Sequence, residues 1–209
     1  MKIIPITGIS GVGKTTFIAG LLSYFKSELL MGLTATTRTQ RASDLGAVKQ
    51  YWFINELLFK EMEQKEHFLE SELVHKRHYG TLTYSFYLAM NLGKDLLLDI
   101  DPKGANNLFM RKQAGEEIFE GVDVFPFFLH EKSLKPGEAI DEVMLRASIE
   151  SNLKRRGDNI SKQEIEDRVV SAVNEYSLVA EHKANFHFLE KVENNTPLMV
   201  ERFEEIYCK

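Results

Sequence analysis

The sequence predicts an α/β fold built on a mostly parallel central sheet, and three observations carry that prediction. Apolar runs of strand length alternate with longer stretches of helical period, the pattern of parallel strands joined by helices. The first apolar run passes straight into a glycine-rich turn and then into an amphipathic stretch. No repeat, low-complexity tract or Pro/Gly/Ser-rich linker divides the 209 residues, which therefore read as a single domain.

The elements follow in chain order. Ile3 to Thr7 reads as a buried strand, and Phe17, Ile18, Leu21, Leu22 and Phe25 fall on one face of the helix after it. Residues 34–90 carry mixed short signals, among them Tyr51-Trp52-Phe53 and Tyr79-Gly80-Thr81, and read as an inserted lobe. Leu96 to Ile100, Val124 to Leu129 and Phe186 to Leu189 are the further strand candidates. Trp52 and the run Phe125, Phe127 and Phe128 are expected in the core, since no basic residues interleave with them to make a stacking platform for bases. Residues 131–151 read as an added loop with a turn at Lys135-Pro136-Gly137. Arg146, Lys154, Arg155, Arg156 and Arg168 then cluster around Gly157 and Asp158, a polar segment suited to closing over a ligand. Ser161 and Glu164 have capping-box spacing, and Ile165, Val169, Val173 and Tyr176 continue as the apolar stripe of a helix.

Composition narrows the function. The net charge is −5, which argues against a nucleic-acid coat, because such a protein needs a basic face to displace phosphate counterions. That acidity is uneven: residues 1–51 carry Lys2, Lys14, Lys26, Arg38, Arg41 and Lys49 against only Glu28 and Asp44. Cys208 is the single cysteine, so no intramolecular disulfide forms and a reducing, cytoplasmic setting is expected. No run approaches the roughly 18 apolar residues of a membrane span, so no membrane partner is expected. The six histidines show no ligand-spaced pair joined to carboxylates, the loose His75 and His78 aside.

The strongest single feature is Gly8-Ile9-Ser10-Gly11-Val12-Gly13-Lys14-Thr15, which fits G-x-x-x-x-G-K-[ST], a P-loop, and continues into Thr16. Its glycines let successive backbone N–H groups turn toward phosphate oxygens, and the following helix adds the positive end of its dipole. Lys14 suits the β- and γ-phosphates, and the Thr15 hydroxyl suits Mg²⁺. This loop alone does not separate an ATPase from a GTPase or a kinase. Asp99 and Asp101 close an apolar strand where a parallel sheet presents its carboxyl end, so one acid can reach Mg²⁺ and the other an acceptor substrate.

Four ordered segments together resemble the guanylate kinase family. Besides the P-loop, Thr36-Thr37-Arg38-Thr39-Gln40-Arg41 resembles T-T-R-x-x-R, Phe68-Leu69-Glu70 with Tyr79-Gly80-Thr81 resembles F-I-E and Y-G-[ST], and residues 97–104 resemble L-L-D-I-D-x-x-G. The resemblance implies a P-loop NTPase fold with a parallel central sheet, an inserted monophosphate-binding lobe and a mobile lid. It implies the core at residues 1–33, 91–144 and 169–209, the lobe at 34–90 and the lid at about 145–168. The implied reaction moves the γ-phosphate of ATP to GMP or dGMP with Mg²⁺ held at Thr15 and Asp99. Arg38 and Arg41 would clamp the acceptor's phosphate, a task two guanidinium forks perform well. Tyr51 and Tyr79 would add phenolic donors, and Glu70 would accept from the guanine N1–H and 2-amine. Thr34, Thr81, Thr83 and Asp101 would complete the acceptor site, with Lys14, Arg38, Arg156 and Arg168 at the transferring group.

Departures from the family pattern fall in the second half. Asn152 stands where the first lid arginine is expected, with Lys154 or Arg155 as substitutes, and Glu190 is not followed by the asparagine expected beside the adenine. The competing readings are a P-loop kinase for another phosphorylated small molecule, such as ribose bisphosphate or another nucleotide, and a non-catalytic binding module. A monomer or homodimer acting on small molecules, without nucleic acid, is expected.

Overall fold

The structure is a computed structural model and describes residues 1–40, 44, 51–74, 76–138, 140–155, 161–193 and 195–208. Strand β1 (Lys2–Thr7) runs through the middle of the main sheet, with Ile3, Ile4 and Ile6 fully buried. Such a strand is covered on both faces, which is why it reads as a continuous apolar run rather than an alternating one. Helix α1 (Lys14–Tyr24) and the short β2 (Leu29–Met31) follow.

The chain then leaves the main sheet. Strands β3 (Thr34–Thr36), β4 (Tyr51–Phe53), β5 (Phe68–Val74) and β6 (Arg77–Leu82), with helix α2 (Glu56–Gln64), build a second sheet in the order β4-β3-β6-β5. Helix α3 (Thr83–Leu92) returns the chain to β7 (Asp95–Asp99), beside β1. After α4 (Pro102–Gln113) come β8 (Asp123–Val124), β9 (Phe127–His130), α5 (Glu142–Arg155), α6 (Lys162–Glu181), β10 (His187–Glu190) and α7 (Thr196–Tyr207). The main sheet has the order β10-β9-β1-β7-β2 with parallel neighbours, and β8 is a further parallel partner of β1. Its core holds Phe17, Leu97, Phe127, Phe128, Tyr176 and Phe203, each at most 2% exposed.

Three expectations are corrected. The strand read over Val124–Leu129 is two strands, β8 and β9, because Pro126 has no N–H to give the ladder; Phe125 N still bonds Ile3 O at 2.8 Å. Trp52 is 46% exposed rather than core, since β4 is an edge strand whose Tyr51 and Phe53 take the opposite face. The stretch 131–151 is not all loop: Asp141 Oδ1 accepts from Val143 N at 2.9 Å and Met144 N at 3.1 Å and starts α5 there. The expected turn at Lys135–Gly137 is present, with Gly137 at φ 89° and Glu138 N bonded to Lys135 O. The Ser161 cap is also present, its side chain accepting from Glu164 N at 3.2 Å. Among the described residues no helix is long and apolar enough to cross a membrane.

Candidate active site

The glycine-rich loop joins the end of β1 to the start of α1. Gly8, Gly11 and Gly13 have φ of 136°, 87° and 109°, values that L side chains rarely adopt. Gly8 is fixed by space as well, since a Cβ there would lie 2.5 Å from the Leu129 carbonyl oxygen of β9. Ile9 and Val12 are fully buried and pin the loop to the core, so only its backbone and polar side chains face outward. Gly13 is the N-cap of α1 and makes no side-chain capping bond, which suits the first helical N–H groups to an anion. The Lys14 ammonium curls back onto the Gly8 carbonyl and lies 3.2 Å from the Ile9 carbonyl.

A cavity of about 250 Å³ opens over this loop. Gly8, Ser10, Gly11, Lys14 and Thr15 form one wall, and Asp99 and Asp101 stand beside them at the end of β7. Asp99 is level with Ile6 in the sheet register, so the strand that delivers the loop and the strand that delivers the acids end together. The facing wall is the second sheet, which contributes Thr34, Tyr51, Glu70 and Tyr79. Helix α6 completes the enclosure with Arg168 and Glu175.

Glu70 is 9% exposed and is held through Oε1 by the Thr81 hydroxyl at 2.5 Å and the Thr81 N–H at 3.1 Å. Thr81, fully buried, thus stands behind the carboxylate and orients it. Asp101 caps α4, its Oδ1 accepting from Lys103 N at 2.8 Å and Gly104 N at 3.1 Å. Arg38 lies in an adjoining groove that shares Tyr79 and Arg168 with the cavity. Its guanidinium grips Asp44 through two bonds of 2.7 Å, donates to the Thr39 carbonyl and stacks 4.5 Å from the centre of the Tyr51 ring. Burial works against the charged form, yet the Asp44 bonds hold this guanidinium protonated more firmly than usual.

Arg168 donates to Ser10 Oγ at 2.6 Å and so reaches the loop directly. Asn152 reaches it too. This residue is 4% exposed, and its Cβ sits 2.5 Å from where a Cβ on Gly11 would be, so α5 rests on the bare backbone of the loop. Its Nδ2 lies 3.3 Å from both Glu131 Oε1 and Ser148 Oγ, and Lys191 Nζ stands 3.6 Å from the same carboxylate.

Not every expected residue joins the cavity. Thr83 opens α3, just past the end of β6, with its hydroxyl on the Glu66 carbonyl at 3.4 Å, and does not line the cavity. Thr16 is exposed and lies outside it as well. Arg41 and Arg156 fall outside the described residues. The residue that sequence reasoning missed is Glu175. Burial pushes its carboxyl up to about 7, Asp101 adds to the rise, and Lys14 opposes it. A signal was present: Glu175 falls between Ala172 and Val179 at helical spacing, an acid on the inward face of α6.

A glycine-rich P-loop, acids at the end of the adjacent parallel strand and a second sheet facing both define a P-loop phosphotransferase with an inserted second sheet. Comparison with known proteins narrows the class. The family model described as guanylate kinase matches residues 1–120, and the chain belongs to the guanylate kinase family, whose members are nucleoside monophosphate kinases. A guanylate kinase of Chlorobium chlorochromatii (strain CaD3) is 33% identical over 165 residues, covering 76% of this chain and 85% of that protein. A guanylate kinase of Mycoplasma genitalium is 36% identical over 104 residues, and that match spans 50% of this chain and 43% of the relative. The crystal structure of guanylate kinase from Anaplasma phagocytophilum covers 99% of this chain and 84% of its own with a TM-score of 0.61 at 18% identity, a likeness of fold.

Proposed function

We propose that the protein transfers the γ-phosphate of ATP to GMP or dGMP, giving ADP and GDP or dGDP. The observation that carries this reading is the shared cavity of about 250 Å³ with the P-loop on one wall and Thr34, Glu70 and Tyr79 on the other. Residues 1–33, 91–144 and 169–209 serve as the nucleotide-holding core, 34–90 as the acceptor lobe and 145–168 as the lid.

Phosphoryl transfer asks little covalent work of a protein, so each residue's task is positioning or neutralisation. The loop N–H groups and Lys14 hold the donor's phosphates. Arg38, Arg41, Tyr51 and Tyr79 hold the acceptor's phosphate, while Glu70, backed by Thr81, accepts from the guanine N1–H and 2-amine, with Thr34 and Asp101 beside it. Adenine offers no such pair of donors. Arg168, already on Ser10, and Arg156 supply positive charge at the transferring group. Thr15 and Asp99 offer hard oxygen donors that suit Mg²⁺, an ion usually held by one or two carboxylates plus substrate phosphates. When bound, Mg²⁺ neutralises charge on the β- and γ-phosphates.

The test is a coupled ADP-release assay across GMP, dGMP, AMP, CMP and UMP. Turnover with the guanine nucleotides alone is expected, and Lys14→Ala lowers it by about a thousandfold or more while the thermal melt stays cooperative. Equal turnover with AMP or CMP overturns the guanine assignment. Tight GMP binding without turnover assigns a binding module in place of an enzyme.

A further inference from the structure

We propose that Gly104 is a specificity-determining residue: it keeps the wall beside Glu70 Oε2 bare, so that the carboxylate can take the position from which it reads guanine. The proposal rests on the reading of Glu70 given above. Gly104 lies in the first turn of α4, buried, with ordinary helical backbone and no positive φ. Backbone conformation therefore does not require glycine here, and alanine is the better helix former. Space supplies the reason. A Cβ at this position would stand 2.9 Å from Glu70 Oε2, 3.7 Å from Glu70 Cδ and 3.6 Å from Asp101 Oδ2.

The backbones on the two sides are held together, so the Glu70 side chain is the part that must give way. On its far side the Glu70 carboxylate is tied through Oε1 to the Thr81 hydroxyl at 2.5 Å and N–H at 3.1 Å. Helix α4 is stitched to β5 on both sides of Glu70. Arg111 donates to the Leu69 carbonyl at 2.6 Å, and Lys103 and Asn107 hold the Glu72 carboxylate at 2.6 and 3.0 Å. A methyl group on residue 104 thus displaces the softest element present, the far end of the Glu70 side chain. Helix and strand stay in place while Oε2 swings away and the Thr81 bonds are strained. The expected consequence is loss of base selectivity with the fold intact.

The experiment compares kcat and KM for GMP and for inosine monophosphate, which lacks the 2-amine, in the full chain and in Gly104→Ala, Glu70→Ala and the double variant. Thermal melts accompany each, and calorimetric binding of the two monophosphates gives an independent reading. Gly104→Ala is expected to melt at or above the parent temperature. It raises KM for GMP about tenfold, leaves KM for ATP unchanged, and reduces the GMP-over-inosine preference toward that of Glu70→Ala. The double variant is expected to be no worse than Glu70→Ala alone. A Gly104→Ala protein that keeps the parent preference, or that melts several degrees lower, overturns the proposal. So does an equal further loss when Gly104→Ala is added to Glu70→Ala, because the glycine then acts elsewhere. If Glu70→Ala itself keeps the preference, the assignment of Glu70 fails and the proposal falls with it, an outcome distinct from the others.

Discussion

Two arginine–carboxylate forks, neither of them lining the cavity itself, differ in their surroundings. In the proposed acceptor lobe, Arg38 and Asp44 meet with side chains 8% and 10% exposed. In the proposed lid, Arg146 of α5 and Glu166 of α6 meet with side chains 40% and 50% exposed. The chemistry is the same and the surroundings are not. A buried pair leaves a bare charge behind when one partner is removed, whereas an exposed one hands both partners back to water. The fork of the proposed acceptor lobe is therefore shut off from water, and the two helices of the proposed lid are joined by a contact that water competes for. The sequence divides the same way, since the family model ends at residue 120, ahead of α5 and α6.

The largest effect on that contrast comes from Asp44→Ala. It leaves the Arg38 guanidinium buried without its counter-charge, and a loss on the order of 3–5 kcal/mol of stability is expected. Denaturant titration reads the loss, and GMP restores part of it by giving Arg38 a phosphate partner; a melt indistinguishable from the parent breaks the comparison. The next effect lies in the pH dependence of stability. Folding raises the Glu175 carboxyl from 4.5 to about 7, so the folded chain holds this proton more tightly than the unfolded one. Its contribution therefore destabilises fully above pH 7 and fades as pH falls toward 4.5. Glu175→Gln is expected to stabilise the ligand-free protein at pH 8 by about 2–3 kcal/mol and to flatten its stability across that window. An unchanged pH profile would remove Glu175 from the list of strained groups in the cavity.

Legibility cut across that division. The P-loop was readable because glycine positions, a lysine and a preceding buried strand must occur together, and β1 and β7 were readable as apolar runs. The second sheet was not. Strands β3 and β4 have three residues each, too short for any period to register, and they pair across a separation in sequence that no local signal records. Asp141 was overlooked as the cap of α5 because no acid or amide three residues on completes a capping box. Pro126 was the missed signal that splits β8 from β9. Within the site, residue types were readable but not their tasks. Thr81 turned out to support Glu70 rather than face the cavity, and Asn152 to be a floor beneath Gly11, facts set by packing between distant segments.

Asn152 and Arg146 give the two smaller tests, both on the lid side. Asn152→Arg restores the cation expected from the resemblance, but its longer side chain must fit where the present one is 4% exposed against Gly11. The substitution is expected to cost about 1–3 kcal/mol through overpacking and to lower kcat by disturbing the loop. A rise in kcat would show instead that the lid lacks only this charge. Arg146→Ala should do least. The pair it breaks joins α5 to α6 at the surface, where salt and water screen it, and neither helix loses buried contacts with it. The thermal melt is expected to match the parent at both low and high salt. A drop comparable to that of Asp44→Ala would mean that the lid is held as firmly as the acceptor lobe, and that exposure is the wrong measure of what each fork contributes.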